Sequence, residues 1–245
     1  MIGRRMVLAG GALALAGAGP ASERLTLAAS DGGQVFGERV RATGRRRGTA
    51  VLFHMAGSNR GEYGPITPQL AAIGFDCIAI DQRSGGRLFG QSNETVAARG
   101  GSTGFGEALA DLEGALAFAR REPGPVVVFG SSYSAALVFI LAARRPMDVS
   151  ALLAFSPGEF IAGQSVRGAA AKVACPAYVS SASDPGEIEA ARALLGAVPG
   201  KIKRQGMPRH GVHGAATLRE DANPGGAKEN MAEVRGFLEG LKLEG

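Results

Sequence analysis

Short apolar runs alternate along this chain with stretches whose apolar residues recur every three or four positions. The runs predict strands and the spaced stretches predict helices. Residues 25–29 and 35–42 flank Asp31-Gly32-Gly33, a hairpin signal. Further short apolar runs at 50–53, 77–80, 126–129, 151–155 and 177–180, with a last strand at 201–204, predict the rest of a sheet. Helices are predicted over 67–73, 106–121, 135–145, 187–195 and 228–243. In the second of these Leu109, Leu112 and Leu116 share a face; in the last, Met231, Val234, Leu238 and Leu241 do. Two antiparallel strands followed by repeated strand–helix units predict an α/β fold. Its central sheet is mostly parallel, with antiparallel N-terminal strands and helices on both faces. No internal repeat is visible, so residues 22–245 read as one domain.

The start of the chain breaks the pattern. Arg4-Arg5 is followed by Met6-Val7-Leu8, an Ala/Gly/Leu-rich run, and small residues at Ala16, Ala18 and Ala21. Residues 1–21 therefore read as a secretory signal peptide, and the run is too short for a comfortable membrane span. The paired arginines resemble a twin-arginine signal, and an ordinary Sec signal is the alternative. The expected location is periplasmic or secreted, with no stable membrane span after cleavage.

Composition narrows the function classes. The net charge is +5, with Arg4 and Arg5 supplying two of those charges. The remaining basic residues are scattered apart from Arg45-Arg46-Arg47, which reads as a solvated turn. The chain has no tryptophan and only three tyrosines, so no basic, aromatic-interleaved nucleic-acid surface is expected. Cys77 and Cys175 each stand alone in apolar segments and read as core thiols, so no metal site is expected.

The chemistry concentrates in Val126-Val127-Val128-Phe129-Gly130-Ser131-Ser132-Tyr133-Ser134-Ala135. A β-branched run stops at a glycine, a serine follows two residues later, and a small-residue helix start comes next. This is the G-x-S-x-G elbow with Ser134 in the last glycine's place. Ser132 at its centre has Gly130, Ser134 and Ala135 around it, all small. Centring on Ser134 would put Leu137 in the crowded turn, so Ser132 is the candidate nucleophile. A serine nucleophile needs a histidine base and a carboxylate to orient it. Asp184, in Ser183-Asp184-Pro185-Gly186 after the 177–180 strand, is the candidate acid, with Glu159 in reserve. His213 is the favoured base, because His213-Gly214 precedes a helix start. His210 is the alternative, and His54 comes too early in the chain.

The element order, the elbow, the loop His54-Met55-Ala56-Gly57-Ser58-Asn59-Arg60-Gly61, the turn Asp81-Gln82-Arg83-Ser84-Gly85-Gly86 and the late His-Gly together resemble the α/β-hydrolase superfamily. The resemblance covers residues 25–243 and is nearest to small lidless members, the dienelactone hydrolases and bacterial esterases. It implies a serine hydrolase acting on small carboxylic esters through an acyl-enzyme on Ser132. The backbone N–H groups of Tyr133 and Ala56 would hold the oxyanion, Met55 being second choice. His54, Met55 and His210 are possible substrate contacts, and Arg83 or Arg87 could meet an anionic substrate. No cofactor is implied, and the only partner is a small-molecule ester. The same residues would also serve acyl transfer or thioester hydrolysis, and a non-catalytic binding protein could share the fold.

Overall fold

The computed structural model describes residues 21–243. The leader expected over residues 1–21 lies outside the described residues, apart from Ala21. Strands β1 (Ser22–Ala28) and β2 (Gln34–Val40) form the hairpin around Asp31-Gly32-Gly33. Then come β3 (Gly48–Phe53), α1 (Thr67–Ala72), β4 (Phe75–Ile80), α2 (Glu94–Arg99), α3 (Leu109–Ala119), β5 (Val126–Ser131) and α4 (Tyr133–Arg144). The chain continues with β6 (Ala151–Phe155), α5 (Val166–Ala170), β7 (Ala177–Ser180), α6 (Pro185–Ala197), β8 (Lys203–Gln205) and α7 (Ala227–Gly240).

The strands join in one eight-stranded sheet in the order β1-β2-β4-β3-β5-β6-β7-β8. Strand β2 runs antiparallel to both its neighbours, and every other pairing is parallel. Successive side chains on a strand face opposite ways, which is how both sheet faces become core. Val51, Phe53, Val128, Leu152 and Val179 pack with apolar residues of α3, α4, α5 and α6. Leu52, Phe129, Leu153, Phe155 and Tyr178 pack on the other face with Leu70 of α1 and with Met231, Val234, Phe237 and Leu238 of α7. Helix α4 is buried from Tyr133 to Ala142, so it needs apolar residues all round rather than one stripe. Cys77 and Cys175 are free and buried. Among the described residues no helix is long and apolar enough to cross a membrane.

The boundaries differ from expectation where capping overrides periodicity. The helix expected over 106–121 opens as a 3₁₀ turn, Phe105–Ala108, before α3. Helix α6 starts at Pro185, two residues before the expected 187. Proline is tolerated at the first helical position, where its missing N–H is not needed. Helices α2 and α5 are too short to leave a readable apolar period. The carboxyl ends of β3, β5, β6 and β7 lie along one rim. Strand order reverses between β3 and β5, which is the switch point where open α/β sheets place their ligands.

Candidate active site

The turn from β5 into α4 carries Ser132 at φ 58° and ψ −119°. A non-glycine residue there is strained by about 1–3 kcal/mol, which the surrounding structure must over-determine. Two contacts show how this is done. The Ser132 N–H donates to Phe155 O at 2.8 Å, and its carbonyl accepts from Ala135 N at 2.9 Å. Gly130 is required, because a Cβ there would lie 2.3 Å from Ser134 O. The neighbouring serines are committed elsewhere. Ser134 is fully buried; its hydroxyl donates to His54 O and is met by Gln82 Nε2, each at 2.6 Å. Ser131 is also fully buried and donates to Glu62 Oε1 at 2.6 Å. Of the three, Ser132 alone is partly exposed.

The Ser132 Oγ donates to His213 Nε2 at 2.8 Å. His213 stands at the N-cap of the 3₁₀ helix Gly214–Leu218. Gly214 lets that segment close on the elbow: its φ is +72°, and a Cβ there would lie 2.4 Å from Ser131 Oγ. On the far side of the ring, Nδ1–H donates at 2.8 Å to Oε1 of Glu187, not to Asp184. The sequence expectation for the acid is corrected here. Asp184 is the N-cap of α6, and its exposed carboxylate accepts the Glu187 N–H at 3.1 Å. Capping ties Asp184 to its own helix, while Glu187, one turn further on, faces His213. Glu187 Oε2 also accepts from Ala182 N at 3.1 Å. Burial pushes the Glu187 carboxyl up, but hydrogen bonds from Ser156, His213 and Ala182 N outweigh it and hold it below its ordinary value. Ser156, itself at φ 54°, braces the same corner, its Oγ accepting from Gly214 N at 2.9 Å. Glu159, the reserve acid, instead accepts the N–H groups of Val166 and Arg167, both at 2.8 Å.

His210 is not brought to Ser132. It lies beside Gly225 and Gly226, and its carbonyl accepts from Asn223 and Asn230. His54 is wholly buried and so cannot touch substrate. Its Nδ1–H donates to Met55 O at 2.8 Å and its Nε2 accepts from Gln82 N at 2.9 Å, while burial lowers its pKa to about 4. It is a neutral strut of the loop after β3. Gln82 completes the tie: Oε1 accepts from His54 N at 2.7 Å, and Nε2 reaches Tyr133 Oη at 3.0 Å as well as Ser134.

That loop also decides which N–H groups are free. Met55 N donates to Glu62 Oε2 at 2.7 Å and is spent. Among the described residues neither Ala56 N nor Tyr133 N has a hydrogen-bond partner. These are the two donors expected from the sequence. Arg83 is spent too, bound to Asp111 and Asp31 at 2.6–2.9 Å, which closes it to an anionic substrate. Asp81 likewise holds Arg60, so the Asp81–Arg83 turn is structural.

Sequence reasoning missed Glu187, Glu62 and Gln82. For Glu187 a signal existed: Asp184-Pro185-Gly186-Glu187 has the capping spacing, and an aspartate that caps is occupied. For Glu62 and Gln82 no local pattern marks them, since Ser131, His54, Tyr133 and Ser134, which they meet, lie 28 to 69 positions away.

The geometry agrees with what the chain is similar to. The dienelactone hydrolase of Anabaena variabilis is 17% identical with TM-score 0.68, over 92% of this chain and 100% of its own. A thermostable carboxyl esterase of Bacillus coagulans is 14% identical with TM-score 0.68, over 90% and 99%. A Pyrococcus furiosus esterase is 14% identical with TM-score 0.67, over 90% and 91%. At such identities these show a shared fold. No relative is found among curated proteins. The model of the family described as serine aminopeptidase, S33, matches residues 44–189, more than half of the chain. The chain therefore belongs to that family of α/β-hydrolases and is a serine hydrolase.

Proposed function

We propose that the protein hydrolyses small carboxylic esters through an acyl-enzyme on Ser132. The observation that carries this reading is the continuous chain Ser132 Oγ–His213 Nε2 and His213 Nδ1–Glu187 Oε1, 2.8 Å at each link. His213 takes the Ser132 proton as the oxygen attacks the ester carbonyl. Negative charge gathers on the carbonyl oxygen, where Tyr133 N–H and Ala56 N–H receive it. Collapse expels the alkoxide, which His213 protonates. Water then attacks the acyl carbonyl as His213 takes its proton, and collapse breaks the bond to Oγ, His213 returning the proton to Ser132 as the acid leaves. Glu187 holds the Nδ1–H tautomer and offsets the imidazolium charge. Similarity to proteins named esterase and dienelactone hydrolase supports the ester as substrate class. The family description favours a second reading, hydrolysis of a peptide bond through the same intermediate.

A fluorophosphonate probe tests the nucleophile. It should label the folded protein on Ser132 and leave Ser132→Ala unlabelled and inactive on nitrophenyl acetate. Label retained by Ser132→Ala refutes the assignment. Comparing kcat/KM on a short ester with that on an aminoacyl anilide separates the two substrate classes.

A further inference from the structure

We propose that Glu62 is a positioning residue that holds the oxyanion loop, the nucleophile elbow and the base-bearing segment in one fixed arrangement. This rests on the ester-hydrolase reading above. Glu62 lies in the 3₁₀ turn Arg60–Tyr63 and is fully buried. Its two carboxylate oxygens serve two different loops. Oε2 accepts from Met55 N at 2.7 Å, and Oε1 accepts from Ser131 Oγ at 2.6 Å. Ser131 Oγ in turn accepts from Ala215 N at 2.8 Å, two residues beyond His213. The backbone of the same turn is tied to that segment as well: Arg219 Nη1 donates to Gly61 O and Glu62 O, both at 2.7 Å.

The consequence for the reaction runs through Met55. By taking the Met55 N–H, Glu62 fixes the peptide plane on one side of the loop tip, and the next N–H, that of Ala56, is the one left unpartnered. An oxyanion donor works only if it is aimed before the charge develops, since reorienting a loop during reaction would consume the gain. Ser132 is neighbour to Ser131 and His213 is two residues from Ala215, so one carboxylate sets the relative position of all three parts. The arrangement calls for a carboxylate, because both partners are donors and only a carboxylate presents an acceptor to each. A buried acid is otherwise costly. Burial raises Glu62 to about 7, against the lowering effects of Ser131, Met55 N, the Arg219 charge and Ser58.

The test compares Glu62→Ala, Glu62→Gln and wild type, each checked for a cooperative melt. Three quantities are read: kcat, KM for a short nitrophenyl ester, and Ki for a trifluoromethyl ketone, whose serine adduct carries an oxyanion. Glu62→Ala should lose on the order of 10²-fold in kcat, as for one misaimed oxyanion donor, with KM changed less than about threefold. Its Ki should weaken in step with kcat. Glu62→Gln keeps one acceptor and should recover about tenfold of that loss. A folded Glu62→Ala with wild-type kcat and Ki overturns the inference, and so does a loss confined to KM. If the alanine variant does not fold, Glu62→Gln decides: wild-type kcat and Ki in it overturn the inference equally. A wild type inert toward both fluorophosphonate and ester defeats the hydrolytic reading itself. An active wild type beside an equally active Glu62→Ala defeats this inference alone.

Discussion

Glu187→Gln and Asp184→Ala should separate two acidic residues three positions apart. The amide preserves Glu187's volume and one acceptor oxygen, enough for His213 Nδ1–H, but removes the charge that faces the imidazolium. At the observed 2.8 Å separation, two unit charges attract by about 1.5 kcal/mol in bulk water and about 6 kcal/mol at an effective dielectric near 20. The side chains of His213 and Glu187 are 44% and 29% exposed, so neither limit applies. A value of about 3–4 kcal/mol between them corresponds to a loss of roughly 10²–10³-fold in kcat/KM. Asp184 is exposed and only caps α6. Its removal should lower stability by about 1 kcal/mol and leave kcat/KM within about tenfold. The assay is initial-rate hydrolysis of nitrophenyl acetate at neutral pH, with melting temperatures measured alongside. If Asp184→Ala collapsed the rate while Glu187→Gln hardly changed it, the assignment of the acid from hydrogen-bond geometry would be wrong.

Three further outcomes are expected. His213→Ala should cost several orders of magnitude in turnover and His210→Ala little, because only His213 bonds to Ser132; the opposite ranking, measured by the same ester assay, would refute this. Glu62 has its pKa raised from 4.5 to about 7, so between these values the unfolded chain releases its proton first and stability falls as pH rises, by up to about 3 kcal/mol. Glu62→Gln lacks that loss, so its melting temperature relative to wild type should climb from pH 4.5 to 7.5; a pH-independent difference would count against a buried, titrating Glu62. Between β6 and β7 the described chain offers only α5 and loops as cover, and each acyl methylene left uncovered forgoes about 0.8 kcal/mol. Esters of two to four carbons should therefore have higher kcat/KM than those of ten or more, and a clear long-chain preference would contradict an open site.

Much of the fold was legible because its causes are local. The hairpin at Asp31-Gly32-Gly33 follows from turn chemistry, and the parallel strands follow from buried β-branched runs such as Val126-Val127-Val128. Ser132 was legible for a related reason. The elbow's strain restricts residues within a few positions of the serine, and a restriction at fixed short spacing can be read along a chain. Gly130 and Ala135 are that restriction, and the approach distances at Gly130 show what enforces it.

The acid was misread because two constraints met in one segment. Asp184 lies in the short loop after β7 and directly before Pro185, where a strand-end carboxylate is expected, yet the same Asp-Pro step starts a helix. Once α6 begins at Pro185, its first turn claims Asp184 as a cap. The next acidic residue on the turn then inherits the approach to His213. A carboxylate cannot readily aim at the N–H groups of its own first turn and also at a ring above it, so capping and orienting the base exclude one another here. Glu62 presents the harder problem. Its hydrogen-bond partners, Met55 and Ser131, stand 7 and 69 positions away. Nothing near Glu62 in the chain distinguishes it from a surface glutamate of a polar loop. What makes it different is burial by β5 and by the segment after His213, and this arises only when the sheet brings those elements together. The strained turn that presents Ser132 is set locally, whereas the contacts of Glu62 and Glu187 are set by long-range packing.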